Sequence, residues 1–307
     1  MKKFVIIDGN AIVHRSYHAV PKTLTSPMGE LTNATYGFVS ILFGILEYEN
    51  PDYLAVAFDM KGPTFRHADF AAYKGTRKKT DDALIAQFPR VREVLEKIGV
   101  PIFGKEGLEA DDFLGIVSEE LVKEQDVRLI IVTGDQDALQ LVGDKVEVVA
   151  PISGYTKVKR YDRASVMEKL GVWPEQIPDY KGLRGDSSDN IPGVHGIGEK
   201  TAATLLAKFG SVENIYENID EVEPERIREL LKKNKDMAFL SKKIATILRK
   251  DSGFEVNLKD CEVASFKMEN VKSLFVELAF HSLMRRAESM DKKWAGGRVS
   301  ETQRSLF

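Results

Sequence analysis

Three short apolar runs in the first half of the chain each lead directly into aspartate. The runs are 4–7, 53–58 and 129–132. The acids that follow them are Asp8, Asp59 and the pair Asp135 and Asp137. Apolar residues that follow one another without alternation are typical of parallel strands whose two faces are both covered. Amphipathic helical patterns lie between the runs, so the sequence predicts an α/β fold with a mainly parallel central sheet and flanking helices.

The pattern changes after about residue 175, where only helical patterns remain. A chain of 307 residues also exceeds the ~100 to 200 residues that are usual for one domain. From residue 288 the sequence becomes polar and contains two adjacent glycines. We therefore predict an α/β core at 1–175, a helical region at 176–287 and a flexible tail at 288–307.

The composition excludes several classes of protein. Hydrophobic residues make up 43% of the chain and charged residues 30%, which is a soluble globular composition. No apolar run approaches the roughly 18 residues of a membrane span, so we expect no membrane partner. The apolar stretch after the initial lysines ends at Asp8, which is too early for a signal peptide. The lone Cys261 allows no internal disulfide, so we expect a cytoplasmic protein whose metal sites are built from carboxylates.

Two further acidic groups follow along the chain. They are Glu109, Asp111 and Asp112 at the start of a predicted helix, and Asp186 and Asp189 at the start of the helical region. A single aspartate in such a place is more often a helix cap than a ligand. The carboxyl ends of parallel strands share one edge, however, so these acids should converge and repel one another unless a cation compensates. Because hard divalent cations prefer oxygen ligands, so many acids predict two metal positions, an arrangement that suits phosphodiester cleavage.

The segments around these acids resemble the 5′ nuclease domain of bacterial DNA polymerase I and, more widely, the flap endonuclease family, over roughly 1–287. The segments are 7–10, 57–59, 109–112, 134–137 and 182–193, in family order and at similar spacing. The resemblance implies a PIN-like and flap-endonuclease-like fold, and a 5′ nuclease that uses two divalent ions, Mg²⁺ or Mn²⁺. The implied first metal cluster is Asp8, Asp59, Glu109, Asp111 and Asp112. The implied second cluster is Asp135, Asp137, Asp186 and Asp189.

A basic segment at 61–80 directly follows the second acidic strand end. It contains six lysine or arginine residues against one acid, although the net charge of the chain is −3. Such a run is usually a solvated loop, but beside bound metals it can attract and orient phosphate. The resemblance implies a helical arch at about 61–85, in which Lys74 and Arg77 are catalytic groups near the scissile phosphate and Tyr73 stacks on an unpaired base. The predicted DNA-binding residues of this segment are Arg66, Lys78 and Lys79.

A glycine-rich stretch at 193–201 forms a further motif. A P-loop is excluded because Glu199 separates Gly198 from Lys200 and no strand precedes the stretch. Gly196 and Gly198 instead indicate a glycine hairpin between helices, where the first amides of the next helix bind phosphate and Lys200 adds a positive charge. The stretch resembles a helix-hairpin-helix element that holds duplex DNA and binds K⁺, so the region 176–287 is interpreted as DNA-binding.

The last residues of the chain resemble the peptide that binds the bacterial sliding clamp. Apolar residues at the end of a polar linker have no core to join and are typical of docking peptides. The predicted clamp-binding residues are Gln303, Ser305, Leu306 and Phe307. With such a terminus, we expect a free-standing nuclease without a fused polymerase.

The leading interpretation is a structure-specific 5′-3′ exonuclease and flap endonuclease. We expect it to act as a nucleoid-associated monomer on nicked or branched DNA with a 5′ flap and on RNA–DNA hybrids, in primer removal and repair. Two alternatives stay open. A PIN-like ribonuclease shares the acidic site, but it is usually shorter and does not need the glycine hairpin. A non-catalytic DNA-junction binder would keep the hairpin and the basic segment while tolerating loss of the acids.

Overall fold

A six-stranded sheet lies at the centre of the computed structural model, which describes residues 1–124, 126–250 and 253–304. The strands are β1 (Lys2–Asp8), β2 (Tyr53–Ala57), β3 (Ile102–Phe103), β4 (Val127–Val132), β5 (Val146–Ser153) and β6 (Lys157–Tyr161). Their order across the sheet is β3-β2-β1-β4-β5-β6. The first five strands pair in parallel, and β6 pairs antiparallel with β5. The prediction of a mainly parallel central sheet is confirmed.

Helices cover both faces of this sheet. Within 1–175 they are α1 (Gly9–Ala19), α2 (Asn33–Tyr48), α3 (Phe65–Asp69), α4 (Asp82–Ile85), α5 (Phe88–Ile98), α6 (Ala110–Val122) and α7 (Arg163–Leu170). In the second half they are α8 (Ile177–Arg184), α9 (Glu199–Phe209), α10 (Val212–Glu217), α11 (Glu225–Lys233), α12 (Lys235–Ala245), α13 (Lys272–Glu277) and α14 (His281–Arg304). Among the helices of the described residues, none combines the length and apolarity needed to cross a membrane.

The alternating direction of strand side chains divides the core into two apolar clusters. In β1, Phe4 and Ile6 point to one cluster, whereas Val5 and Ile7 point to the other, and all four side chains are fully buried. Each such burial stabilises the fold by about 1.5–3 kcal/mol. Continuous apolarity in the sequence is therefore explained by helices on both faces.

The structure divides the second half of the chain differently from the predicted region 176–287. Residues of α8 and α9, such as Leu183 and Leu206, join the cluster that contains Phe4. Later residues, such as Phe266 and Phe275, return to the opposite face and pack in the other cluster. The helical region therefore covers both faces of the sheet, because its early apolar residues pack on one face and its late apolar residues pack on the other.

The last helix differs from the predicted tail at 288–307. It runs to Arg304, and Met290 is buried on the same helical face as Leu283, seven residues earlier. The helix continues past 288 because this apolar spacing keeps its inner face on the core. Of the predicted clamp-binding residues, Ser305, Leu306 and Phe307 lie outside the described residues. Gln303 falls within the backbone of α14, and its side chain lies outside the description.

The predicted helical arch at 61–85 also takes another form. The structure has two short helices there, α3 and α4, which are joined by turns. Lys74 lies between them with a φ of 55°, in the left-handed region of backbone conformation. A continuous right-handed helix cannot pass through such a residue.

Candidate active site

Asp8 ends β1 and caps α1. One carboxylate oxygen accepts a 2.9 Å hydrogen bond from the amide of Ala11, and the other accepts a 2.7 Å bond from the hydroxyl of Thr133 on the neighbouring strand end. The Asp8 side chain is buried. Burial raises the pKa of Asp8 to about 7; the two hydrogen bonds oppose the rise, and the negative charge of Asp135 adds to it. Binding of a cation that neutralises the Asp8 carboxylate would therefore be favourable.

Asp8 belongs to an acidic cleft at the carboxyl edge of the sheet, which we call the first cleft. It has a volume of about 200 Å³. Its carboxylates are Asp8, Asp59, Glu109, Asp111 and Asp135, and its cations are Lys74 and Arg77. Burial raises the pKa of Asp111, and the charges of Asp135 and Asp8 raise it further. As predicted from the parallel topology, acids from three strand ends and from the start of α6 meet at one edge.

A second cleft adjoins the first and has a volume of about 440 Å³. Its carboxylates are Asp135, Asp137 and Asp186, and its cations are Lys181 and Arg184. Asp135 therefore lines both clefts. The ammonium group of Lys181 forms ion pairs with Asp137 and with Asp186, the latter at 2.5 Å.

Asp137 and Asp186, the two partners of Lys181, have pKa values that are shifted in opposite directions. Burial raises the pKa of Asp137 to about 6, although the charge of Lys181 opposes this shift. Burial acts in the same direction on Asp186, but the charge of Lys181 and hydrogen bonds from Lys181 and Ser188 lower its pKa to about 2. Asp186 is therefore a charged carboxylate at neutral pH.

A glycine-closed loop at 185–193 places Asp186. The amide of Asp186 donates a 2.8 Å bond to the carbonyl of Ile191, and the amide of Ile191 returns a 2.7 Å bond to the carbonyl of Asp186. Gly185 and Gly193 both have positive φ, and a Cβ on Gly193 would lie 2.1 Å from the nitrogen of Gly185. The two glycines allow the loop ends to meet, which holds Asp186 at the second cleft.

Asp112 does not line either cleft, in contrast to its predicted metal role. Its fully buried carboxylate accepts bonds of 2.9 and 2.7 Å from the two terminal nitrogens of Arg66. The guanidinium also donates to the backbone carbonyls of Ile244 and Thr246. Arg66 is only 2% exposed. Each residue therefore neutralises the other inside this fold, and the roles of Asp112 as a metal ligand and of Arg66 as a DNA contact stay predictions.

Tyr73 is also buried, with 4% of its surface exposed. Its hydroxyl donates to Glu109 at 3.2 Å and to Asp189 at 3.3 Å. Its ring is enclosed in this position, and stacking on an unpaired base stays a prediction. Asp189 is itself buried and does not line either cleft. The negative charge of Asp189 still helps to raise the pKa of Asp137, and its place in the second metal cluster stays a prediction.

Four further basic residues of 61–80 differ in their degree of exposure. The ammonium group of Lys74 lies 2.9 Å from Glu109, and its side chain is 21% exposed. Arg77 pairs with Asp189 at 2.5 Å, and 48% of its side chain is exposed. Lys78 and Lys79 are exposed. Only Lys74 and Arg77 of these four line the first cleft.

The glycine stretch lies between α8 and α9, immediately after the 185–193 loop. Gly196 has a φ of 89°, and Gly198 is the residue that precedes the first turn of α9. Ile197 between them is buried, whereas His195, Gly196 and Gly198 are exposed to solvent. Lys200 is exposed in the first turn of α9. The first amides of a helix have no partner within the helix, which makes this end suited to a phosphate.

The donor set of the two clefts fits divalent cations. All acidic donors are carboxylate oxygens, and burial and mutual repulsion raise the pKa values of Asp8, Asp59 and Asp111. Among the described residues, no three acidic, histidine or cysteine side chains form a ready-made coordination group. Lys74 and Lys181 instead occupy carboxylate oxygens in both clefts. An ion would therefore compete with these lysines.

Comparison with known families decides the identity. Residues 3–171 match the family model described as 5′-3′ exonuclease, N-terminal resolvase-like domain. The chain belongs to the 5′-3′ exonuclease family. Residues 172–269 of this family member match a second model, 5′-3′ exonuclease, C-terminal SAM fold.

The relatives of this 5′-3′ exonuclease family member include bacterial DNA polymerases. It is 44% identical to DNA polymerase I of Caldicellulosiruptor bescii over 286 residues, which are 92% of this chain and 33% of that polymerase. It is also 44% identical to DNA polymerase I of Bacillus subtilis over 285 residues, which are 93% of this chain and 32% of that polymerase. The chain thus spans about a third of the length of these relatives. The resemblance to the 5′ nuclease domain is confirmed.

Solved structures share the fold of this 5′-3′ exonuclease family member. A structure of T5 5′-exonuclease with bound zinc superposes with a TM-score of 0.67 at 20% identity, covering 95% of this chain and 99% of that one. The catalytic core of Rad2 in complex with a DNA substrate gives a TM-score of 0.54 at 18% identity, covering 89% and 86%. The predicted flap-endonuclease-like fold is confirmed.

Sequence reasoning missed three residues that shape the clefts. Thr133 orients Asp8, and the side-chain oxygen of Asn10 accepts a 3.0 Å bond from the amide of Asp59. Lys181 pairs with two acids of the second cleft. Thr133 and Asn10 stand beside strand-end acids in the sequence, which is a usable signal. Lys181 lies five residues before Asp186 and has no such signal.

Proposed function

We propose that this chain is a structure-specific 5′-3′ exonuclease and flap endonuclease that hydrolyses phosphodiester bonds with two divalent ions. One observation carries the proposal: two acidic clefts share Asp135, and Lys74 and Arg77 line the first of them. Membership of the 5′-3′ exonuclease family supports the same activity. A binding module for DNA junctions would not need carboxylates that repel the phosphate backbone.

The carboxylates of the first cleft would hold one ion, and those of the second cleft would hold the other. Structures of T5 5′-exonuclease with divalent metal ions support this assignment. When bound, such ions activate a water molecule and stabilise the leaving oxygen. We propose Mg²⁺ as the ion, with Mn²⁺ as an alternative, because both accept all-oxygen ligands.

Lys74 and Arg77 would bind and orient the scissile phosphate. Both line the first cleft, and both side chains are long enough to exchange a carboxylate for a phosphate oxygen. Their positive charges would also stabilise negative charge that develops on the phosphate oxygens. Asp8 and its hydrogen-bond partner Thr133 would keep the cleft wall in place.

The glycine hairpin would hold the duplex next to the cut strand. The exposed Lys200 and the first amides of α9 would contact phosphates without reading sequence. A solved complex of the Rad2 catalytic core with a DNA substrate supports a DNA partner for this fold. We propose Gly196 and Gly198 as the points of close approach and K⁺ as an ion at the hairpin. Lys78 and Lys79 remain proposed DNA contacts on the basic segment.

The remaining features of the proposal concern the cellular setting. Nicked DNA, 5′ flaps and RNA–DNA hybrids are the proposed substrates, in primer removal and repair. A monomer that is cytoplasmic and nucleoid-associated, and a contact with the sliding clamp through the chain end, are proposed on the sequence pattern alone.

The deciding experiment measures cleavage of a 5′-labelled flap duplex with Mg²⁺ and with EDTA. The test variant is Asp135→Asn, which removes a charge from both clefts. Asp144→Asn is the matched control, because this exposed aspartate lines neither cleft. We expect cleavage near the flap junction that EDTA and Asp135→Asn abolish while flap binding persists, and that Asp144→Asn retains.

Two other outcomes would change the assignment. Tight flap binding by the wild type without cleavage at any Mg²⁺ concentration would favour the junction binder. Cleavage of single-stranded RNA with no response to a DNA flap would favour the PIN-like ribonuclease.

A further inference from the structure

The second cleft contains a lysine that is held in place by the fold. Lys181 lies on α8, between Tyr180 and Leu183, which are buried in the apolar core. Its own side chain is only 9% exposed, and its ammonium group pairs with Asp137 and Asp186. Because α8 is anchored by its apolar residues, the Lys181 backbone cannot move away from the cleft without loss of core packing.

The two clefts differ in how their cations are held. In the first cleft, Lys74 and Arg77 lie on an exposed turn, with side chains that are 21% and 48% exposed. These groups can swing toward solvent or toward a phosphate. In the second cleft, Lys181 has little solvent to enter. A metal ion in the second cleft would therefore retain Lys181 as a close neighbour.

The balance of charge also differs between the two clefts, and it too favours a divalent ion in the first cleft over the second. Five carboxylates face two cations in the first cleft, whereas three carboxylates face two cations in the second. One of those three, Asp135, also lines the first cleft. The electrostatic attraction for a divalent ion is consequently weaker in the second cleft, where a buried positive charge also repels the ion at short range.

We infer that Lys181 is a built-in counterion that shares Asp137 and Asp186 with the second metal ion and makes that ion bind more weakly than the first. The inference rests on the proposed function, because it assumes that the clefts hold divalent ions. Lys181 is a positioning residue in this scheme: it keeps two carboxylates together and touches no reacting atom. The weak second site would fill mainly when a substrate phosphate adds negative charge.

The test measures Mn²⁺ binding to the full-length chain by calorimetry, with no DNA present. For the wild type we expect one tight step and a second step that is at least about tenfold weaker. Lys181→Met, which keeps the length of the side chain but removes its charge, should tighten the second step about tenfold. Lys181→Arg, which keeps the charge, should leave the second step weak.

Lys242→Met is the matched control. Lys242 is also a partly buried lysine that pairs with two carboxylates, Asp179 and Glu213, each at 2.6 Å, and it lines neither cleft. It should leave both steps unchanged. If Lys181→Met does not fold, Lys181→Gln serves as the second neutral variant, and failure of both to fold would assign Lys181 to stability and overturn the inference.

The outcomes separate this inference from the function on which it rests. A second step that is unchanged or weaker in Lys181→Met, beside normal two-step binding by the wild type, would overturn the role of Lys181 alone. Absence of any Mn²⁺ binding by the wild type would overturn the two-metal proposal together with this inference. Equal affinity of the two steps in the wild type would also overturn the inference while leaving the nuclease proposal intact.

Discussion

The backbone amide of Lys74 donates a 2.9 Å hydrogen bond to the backbone carbonyl of Asp189. Two further bonds strengthen this connection: Arg77 pairs with the Asp189 carboxylate at 2.5 Å, and the Asn190 side chain donates to the carbonyl of Ala72 at 2.7 Å. The basic segment is thereby joined to the 185–193 loop, which is more than 100 residues away in the chain. The positions of Lys74 and Arg77 at the first cleft thus depend on the 185–193 loop, which also places Asp186 at the second cleft.

Replacement of Asp189 with alanine should loosen the basic segment. The change removes the partner of Arg77 and one acceptor of the Tyr73 hydroxyl. We expect trypsin to cut within 74–79 about two- to tenfold faster, because local opening costs less free energy. Glu213→Ala, which removes an exposed ion pair elsewhere, is the control. Equal cutting rates in Asp189→Ala and the wild type would show that the backbone bonds alone hold the segment.

Arg66→Met should destabilise the protein strongly. The change leaves the fully buried Asp112 without its positively charged partner, and loss of one member of a buried ion pair costs about 3–5 kcal/mol. Urea unfolding measures this cost. The exposed Arg226→Met should change the free energy of unfolding by less than about 0.5 kcal/mol. A stable Arg66→Met variant with weakened DNA binding would instead support the original assignment of Arg66 to DNA.

Gly193→Ala should disrupt the second cleft. A Cβ would lie 2.1 Å from the nitrogen of Gly185, and the backbone has a φ of 63°. We expect a loss of roughly 2 kcal/mol or more in the free energy of unfolding, from strain and collision together. Gly154→Ala is the matched control, because Gly154 has a similar φ of 53° but no atom within 4 Å of the added Cβ. Similar losses in both variants would mean that backbone strain alone matters.

In the presence of EDTA, which removes metal ions, the free energy of unfolding should fall as pH rises from about 5.5 to 8. The folded pKa of Asp8, about 7, exceeds its ordinary value of 3.8, so the folded chain binds this proton more tightly than the unfolded chain. That stabilisation is complete below about pH 4 and is lost as pH rises through 7. Thermal unfolding in EDTA measures the trend, which Asp8→Asn should flatten and Asp144→Asn should not.

Added Mg²⁺ should reverse this trend. Divalent ions bind the charged form of the carboxylates, so they compete with protons. The increase in melting temperature on adding Mg²⁺ should therefore be larger at pH 8 than at pH 5.5. An equal increase in melting temperature at pH 8 and at pH 5.5 would show that the carboxyl groups that titrate in this range do not bind the metal ion.

Lys200→Ala should weaken binding to duplex DNA without a change in sequence preference. If Lys200 contacts one phosphate, the slope of log affinity against log salt should fall by about 1. Lys208→Ala is the control on the same helix, because the Lys208 ammonium group donates to the carbonyl of Glu221. A slope that Lys200→Ala leaves unchanged would remove this end of α9 from the DNA interface.

Much of the site could be predicted from the sequence because parallel strands place their carboxyl ends on one edge. Asp8, Asp59 and Asp135 follow apolar strands, and this rule alone brings them together. The assignment of Asp112 and Asp189 to metal clusters came from the family resemblance. The structure turns both carboxylates toward Arg66 and Arg77 instead, because ion pairing depends on distant segments that local sequence does not specify.

The sequence by itself determined the parallel sheet, the acidic edge and the glycine hairpin, because each follows from the spacing of apolar, acidic or glycine residues within a short segment. Only the tertiary structure decided which basic residues are buried and which are free to meet a phosphate. Arg66 and Arg77 belong to the same basic segment, yet the first is enclosed beside α6 and the second lines a cleft. Charge is a property of the residue, whereas burial is a property of the packing of segments far apart in the chain.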